Sequence, residues 1–288
     1  MKFPNPILTL TSFFARILPD SIKRALYANE AMANLVRQSL NRAAPQGVSE
    51  VTIAAGGNKD LKMLLDLQSE KDYWLGTYEP DLQAVIADLV KPGNVVYDIG
   101  ANIGYVTLLF ARRTSQKGHV YAFEALPGNV TRLGKNIALN HYSAIVTIIP
   151  AAVQDRSSQA EFWVGPSDGM GKVAGSAGRL SVDYPQKLQV TGLALDDFYK
   201  EGAVHIPDII KIDIEGGEVL ALPGMIELLR EHRPILMVEL HGEEASRVVW
   251  DLLILENYRI CMMDPGYKQI SDVQELKWKS YIVAFPND

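Results

Sequence analysis

The stretch Val95 to Gly104, V-V-Y-D-I-G-A-N-I-G, constrains the chain most. A short β-branched run ends at Asp98, passes through Gly100, Asn102 and Gly104, and leads into the helical apolar pattern Val106, Leu109, Phe110. That order predicts strand, glycine turn and helix. Gly100 and Gly104 are expected to clear space where a ligand lies close to the backbone, and the following helix N-terminus offers amide donors. Such a turn holds a nucleoside cofactor at the carboxyl end of the first parallel strand.

The spacing distinguishes between cofactors. A dinucleotide turn reads G-x-G-x-x-G, but Asn102 occupies its second glycine position and Asp98 precedes the first glycine by two residues. Asp98 suits a cationic amino-acid moiety, which S-adenosylmethionine (SAM) carries and a nicotinamide dinucleotide does not. A plain glycine turn in an ordinary βα unit is the bland alternative.

From Lys91 onward, strand and helix patterns alternate, which implies an α/β fold with a parallel sheet and right-handed crossovers. His119 to Glu124 is the expected second strand. Its terminal acid lies 20 residues beyond Gly104, where a carboxylate can hold two ribose hydroxyls or cap the helix expected from Pro127 to Leu139. Ile145 to Val153 reads as the third strand, Asp208 to Ile214 as the fourth and Pro234 to Leu240 as the fifth. Tyr258 to Met263 and Ser280 to Phe285 close the sheet, the final strand antiparallel.

The alternation lapses between Gln159 and Leu195. Strands are expected at Ala160 to Val164 and Leu188 to Leu193, separated by a loop of small residues from Gly165 to Ser176. That loop reads as a substrate loop or a surface insertion. Its Gly171-Lys172 pair lacks the glycine and hydroxyl positions of a phosphate loop. Ahead of the sheet, residues 1–80 form an expected extension, helical to about residue 44. A hairpin of Val51 to Ala54 and Lys62 to Leu65 follows, and then the aromatic segment Asp72 to Pro80. Residues 81–288 form the main domain.

Charge excludes some functions. A formal net charge of −6 argues against a nucleic-acid substrate, which calls for a basic face. The single cysteine, Cys261, permits no internal disulfide and fits a reducing, cytoplasmic compartment. The apolar run Pro6 to Leu18 is too short to span a bilayer and is broken by Arg16. It packs on the domain or makes a peripheral membrane contact.

Chemistry concentrates after strands four and five. Lys211 and Asp213 interrupt a strand expected to be buried on both faces, so their desolvation demands compensation. Glu239 and His241, two residues apart, share one side of the fifth strand. His241 is the first candidate for a general base oriented by an acid among Glu239, Asp213 and Glu215. A divalent cation held by Asp213, Glu239 and His241 is the alternative. His241 could instead cap the helix beginning near Gly242.

Together, D-I-G-A-N-I-G-Y-V-T-L, A-F-E-A-L-P-G-N followed by N-I-A-L-N, I-I-K-I-D-I-E-G-G-E followed by L-P-G, and V-E-L-H resemble the FkbM-type methyltransferases, a branch of the class I SAM-dependent enzymes. The resemblance runs from about Tyr73 to His241 and includes L-G-T-Y-E-P. It departs at Ala125, where the family's E-P-x-P motif has its first proline. The resemblance implies a Rossmann-like, seven-stranded, mostly parallel sheet with an antiparallel last strand, and O-methylation of a hydroxyl on a sugar, glycan or secondary metabolite. It places Asp98, Gly100, Asn102 and Gly104 around the methionine end of SAM, Glu124 at the ribose, and Tyr78 and Glu79 over the cofactor entrance. Its acidic signature falls on Asp213, Glu215 and Glu218. A nicotinamide-dependent oxidoreductase and a noncatalytic binding protein are the rival readings.

Overall fold

The computed structural model describes residues 10, 11, 13, 14, 42–165, 171–179, 182–202 and 204–287. Most of the helical expectation for residues 1–44, and of the amphipathic run Pro6 to Leu18, lies outside the described residues. Among the described residues no helix is long and apolar enough to cross a membrane. The chain divides into two compact units, Met1–Gln83 and Ala84–Asp288.

In the first unit, β1 (Val48–Thr52) pairs antiparallel with β2 (Lys62–Asp66), Val48 opposite Asp66. Alternation buries Val51, Met63 and Leu65. The short helix α1 (Lys71–Leu75) ends at Gly76, whose positive φ reverses the chain where a Cβ would collide with the Ala55 backbone. Trp74 is fully buried, whereas Tyr73 and Tyr78 meet edge to face at 4.7 Å. The aromatic segment therefore divides between core and surface. Helix α2 (Pro80–Leu89) opens on a proline, where no amide partner is needed.

The second unit continues as β3 (Val95–Ile99), α3 (Tyr105–Thr114), β4 (His119–Phe123), α4 (Pro127–Leu139) and β5 (Val146–Ile149). An inserted segment follows, with β6 (Ala152–Val153), β7 (Ser158–Val164), β8 (Gly171–Val173) and β9 (Gln186–Leu193). The chain then gives α5 (Leu195–Lys200), β10 (Ile209–Ile212), α6 (Glu218–Ala221), α7 (Ile226–His232), β11 (Ile235–His241), α8 (Glu243–Leu255), β12 (Tyr258–Met262) and β13 (Lys279–Pro286).

Seven strands form the main sheet in the order β12-β13-β11-β10-β3-β4-β5. Only β13 runs antiparallel to its neighbours, as the resemblance implies. From β3 the chain winds outward through β4 and β5, then returns to build the other half from β10. The switch point thus lies between β3 and β10, and ligands of such sheets bind outside its carboxyl ends. Tyr97, Tyr121 and Phe123 pack around Phe198 of α5, with ring centroids 5.2–5.8 Å away, and this aromatic group anchors one face of the sheet.

Two expectations need correction. The run Ile145 to Val153 is not one strand: β5 stays in the main sheet, whereas β6 pairs with β9 in a separate four-stranded sheet of order β6-β9-β7-β8. Pro150 lies between them and has no amide to continue a ladder. The segment Gly165 to Ser176 is not all loop, because Gly171–Val173 pairs with β7 as an edge strand. Residues 166–170 of that segment lie outside the described residues.

Candidate active site

The turn after β3 is built by close packing. Gly100 and Ala101 both donate their amides to the Phe123 carbonyl at 3.0 Å, and Asn102 adopts a left-handed φ of 50°. A side chain at Gly100 would collide with the Asp213 carbonyl, and a Cβ at Gly104 would lie 2.6 Å from Leu133 Cδ1. Both glycines also have positive φ. The backbone of the neighbouring strand end thus accounts for Gly100 within the protein itself, whereas Gly104 meets only the end of the Leu133 side chain.

Asp98 and Lys211 face each other directly across β3 and β10. Lys211 Nζ lies 3.6 Å from Asp98 Oδ1 and 3.4 Å from Asp213 Oδ2, and donates to the Gly100 carbonyl at 3.3 Å. This is the compensation that a charged pair inside a buried strand requires. Thr107 of α3 donates to Asp98 Oδ2 at 2.6 Å. Burial raises the pKa of Asp98 against the opposing pull of Lys211 and Thr107. Asp98 thus sits sealed beneath the turn, while Asn102 is half-buried within it. Asp98 Oδ1 and Asn102 Oδ1 are both buried without a hydrogen-bond donor from the described residues.

Glu124 ends β4 as expected. Its two oxygens accept the amides of Asn102 and Leu126, each at 2.8 Å. It therefore joins the glycine turn to the entrance of α4, where the Asn129 side chain and the Ala125 amide also support it. Burial raises its pKa, offset in part by the Leu126 and Asn102 amides. Tyr78 and Glu79 belong to the first unit, where Glu79 takes a left-handed φ of 41° just ahead of α2.

Asp213, Glu239 and His241 converge at the carboxyl ends of β10 and β11, each offering a ligand atom within 4.8 Å of the others. His241 Nε2 lies 2.9 Å from Glu239 Oε1 and 3.9 Å from Glu215 Oε2. The Glu239 contact is a close ion pair inside the buried cluster. On the other side of the ring, Nδ1 pairs with Glu218 Oε1 at 3.2 Å. The same oxygen receives the Ile214 and Gly216 amides at 3.3 and 3.4 Å. His241 is therefore held from below by Glu218 and does not cap α8.

Charge follows from this geometry. Burial acts to lower the His241 pKa, but pairing with Glu218 and Glu239 overrides it and raises the value to about 10. Burial acts to raise the Glu239 carboxyl, and pairing with His241 and Lys279 overrides that, leaving it at about 2. Glu215, held by a left-handed φ of 53°, has its pKa raised by burial. In the metal-free site these carboxylates therefore favour the protonated ring, and Glu215, with its raised pKa, stands beside it as the other proton acceptor.

Lys279 was not visible as a site residue in the sequence. It comes from β13, where the antiparallel register sets it opposite His241 and brings its ammonium onto Glu239. No local motif marks it. Glu218 was visible only as part of an acidic signature, and its partner His241 lies 23 residues away.

The Methyltransferase FkbM domain matches residues 98–260, more than half of the chain. The chain belongs to the FkbM methyltransferase family. Hexuronic acid methyltransferase AglP of Haloferax volcanii is 27% identical to this FkbM methyltransferase over 175 residues, covering 61% of this chain and 67% of AglP. The 2-O-methyltransferase NoeI of Sinorhizobium fredii is 26% identical over 186 residues, covering 59% of this chain and 74% of NoeI. Among solved structures, methyltransferase FkbM of Methylobacillus flagellatus KT aligns with 90% of this chain and 60% of that chain, at 16% identity and a TM-score of 0.44. The FkbM match begins at Asp98 and so includes both the glycine turn and the acid cluster.

Proposed function

We propose that this chain transfers the methyl group of SAM to a hydroxyl of a sugar or glycan. The observation that carries this reading is the placement of the Asp213, Glu239 and His241 cluster at the strand ends flanking the β3–β10 switch point. The glycine turn stands directly beside it, with Gly100 against the Asp213 carbonyl. The names of AglP and NoeI support a sugar hydroxyl as acceptor. Family membership in the methyltransferases replaces the nicotinamide alternative.

The residues fit the cofactor. Asn102 Oδ1, an acceptor without a donor among the described residues, suits a donor group of SAM, Glu124 stands at the end of β4 for the ribose, and Asp98, sealed beneath the turn and paired with Lys211, supports the turn from behind. When bound, SAM supplies a methyl group already activated on a sulfonium. The protein's share is alignment, which contributes on the order of 7–11 kcal/mol, and removal of the acceptor proton. Glu215 receives that proton in this reading. It is partly exposed and its pKa is raised, whereas His241 is already protonated in the metal-free site.

A divalent cation is the second reading, favoured by one specific arrangement. His241 turns Nε2 toward Asp213 and Glu239 while Nδ1 is held by a buried carboxylate, the support that metal-bound histidines commonly have. Asp213, Glu239 and His241 would hold the ion, which would polarise the acceptor hydroxyl.

Thermal unfolding tests the cofactor. S-adenosylhomocysteine at a hundred times its dissociation constant should stabilise the protein by about 2.7 kcal/mol, whereas NAD should leave it unchanged. Stabilisation by NAD alone, or by neither ligand, would sink the reading. Transfer of tritium from methyl-labelled SAM to methyl glycosides, with EDTA and then with added magnesium, separates the base-only and cation readings.

A further inference from the structure

The inserted sheet reaches the acid cluster through one short loop. Lys172 of β8, only 2% exposed, donates its Nζ to the carbonyls of Ala177 and Arg179 at 3.0 and 3.3 Å. Ala177 donates its amide to Gly216 at 2.9 Å. A Cβ at Gly178 would lie 2.7 Å from the Glu215 carbonyl, and one at Gly216 would collide with the Ala177 backbone. The loop is thus pressed flush onto the turn that carries Glu215. A buried ammonium fixes the position of the next residue, Arg179.

Trp278 approaches from the opposite side. Its carbonyl accepts the Gly242 amide at 2.6 Å, and its ring lies 6.4 Å from the His241 ring at 81°. A Cβ at Gly242 would stand 3.7 Å from both Gly178 N and Trp278 Nε1, so the two approaches meet beside His241. The Arg179 guanidinium lies over the Trp278 indole, 5.5 Å from its centroid. Arg179 is exposed and has no carboxylate partner among the described residues, and Trp278 remains 42% exposed.

We propose that Arg179 and Trp278 form the acceptor subsite, and that it selects a carbohydrate bearing an anionic group, a carboxylate or a phosphate ester. This rests on the methyl-transfer reading and names its acceptor more narrowly. An indole surface packs against the C–H face of a pyranose, and a guanidinium stacked on it presents a planar fork of donors that fits an anion. Charge-assisted hydrogen bonds of this kind are the strong ones. Asp213 and Glu239 at the adjacent strand ends are already paired with Lys211 and Lys279, which leaves the exposed Arg179 available to receive the charged end of a sugar.

The test is equilibrium binding to the full chain saturated with S-adenosylhomocysteine. The probes are methyl α-D-glucuronide, glucose 6-phosphate and methyl α-D-glucoside. One of the two anionic sugars should bind about ten-fold or more tightly than the neutral one, and which of them does so identifies the anion. Arg179→Gln should abolish that preference and Arg179→Lys should restore part of it. Trp278→Leu should weaken all three sugars together. S-adenosylhomocysteine affinity should be unchanged in each variant, which separates a lost subsite from a misfolded protein. Equal affinity for all three sugars, no binding of any at 10 mM, or an unchanged preference in Arg179→Gln would overturn the proposal. Failure of S-adenosylhomocysteine itself to bind would instead overturn the methyl-transfer reading beneath it.

Discussion

Glu218 holds His241 by its Nδ1 across 3.2 Å, with the carboxylate fully buried and the ring 2% exposed. Nδ1 faces Glu218, and Nε2 is thereby directed to the side of Asp213 and Glu239. The orientation of the central histidine is thereby set by a residue that stands behind it.

Removing that support should be costly in two separable ways. Glu218→Ala leaves His241 and the Ile214 and Gly216 amides without their acceptor, and should lower the urea-derived stability by about 1–3 kcal/mol. Glu218→Gln keeps a carbonyl acceptor and should lose less than half as much. If a cation is held by the front of the ring, its affinity should fall roughly 10–100-fold in Glu218→Ala, measured by calorimetric titration.

His241 also gives a pH signature to the metal-free protein. Its pKa is raised from 6.5 to about 10, so the folded state holds the proton more tightly than the unfolded chain does. That contribution is fully present below about pH 6.5 and is lost as the pH rises through 10. In EDTA, the stability advantage of the native protein over His241→Gln should therefore shrink between pH 7 and 10. An advantage that is constant over this range would contradict the protonated ring.

Lys211 and Asp98 should behave as a coupled pair. Lys211→Met strands a fully buried carboxylate and should cost about 3–5 kcal/mol in chemical denaturation. The double variant Lys211→Met with Asp98→Asn should be more stable than Lys211→Met alone, because the fully buried carboxylate is removed and only the partly exposed Asp213 loses its partner. Additive losses would show that the two side chains do not share their charge.

Gly100→Ala separates packing from ligand contact. A methyl group at a φ of 79° and against the Asp213 carbonyl should destabilise the protein with no cofactor present, by more than the roughly 1 kcal/mol of an ordinary glycine substitution. A melting temperature unchanged without SAM but altered SAM affinity would return the glycine to a purely ligand-facing role.

Periodicity and glycine placement made the main sheet legible because they are local. Val95 to Gly104 had to be strand, turn and helix, and the ends of β4, β10 and β11 were marked by Glu124, Asp213 and His241. Pro150, a breaker in plain view, was outweighed by the apolar residues on either side, so β6 was assigned to the wrong sheet. The reason for Gly100 lay 113 residues away in Asp213, and no local pattern contains that distance.

What the sequence determined by itself is the order of the elements and the identity of the charged groups at their ends, since helical and strand periods are properties of neighbouring residues. Which of those groups meet was decided by tertiary structure alone. Parallel pairing of β3 with β10 sets Lys211 against Asp98, and the antiparallel insertion of β13 brings Lys279 to Glu239. The chain reversal after β8 delivers Arg179 to Trp278. In the first two cases strand register fixes the distance between charges. Register depends on how whole faces bury against one another, so the protonation of His241 and the character of its surroundings emerge only once the sheet has closed.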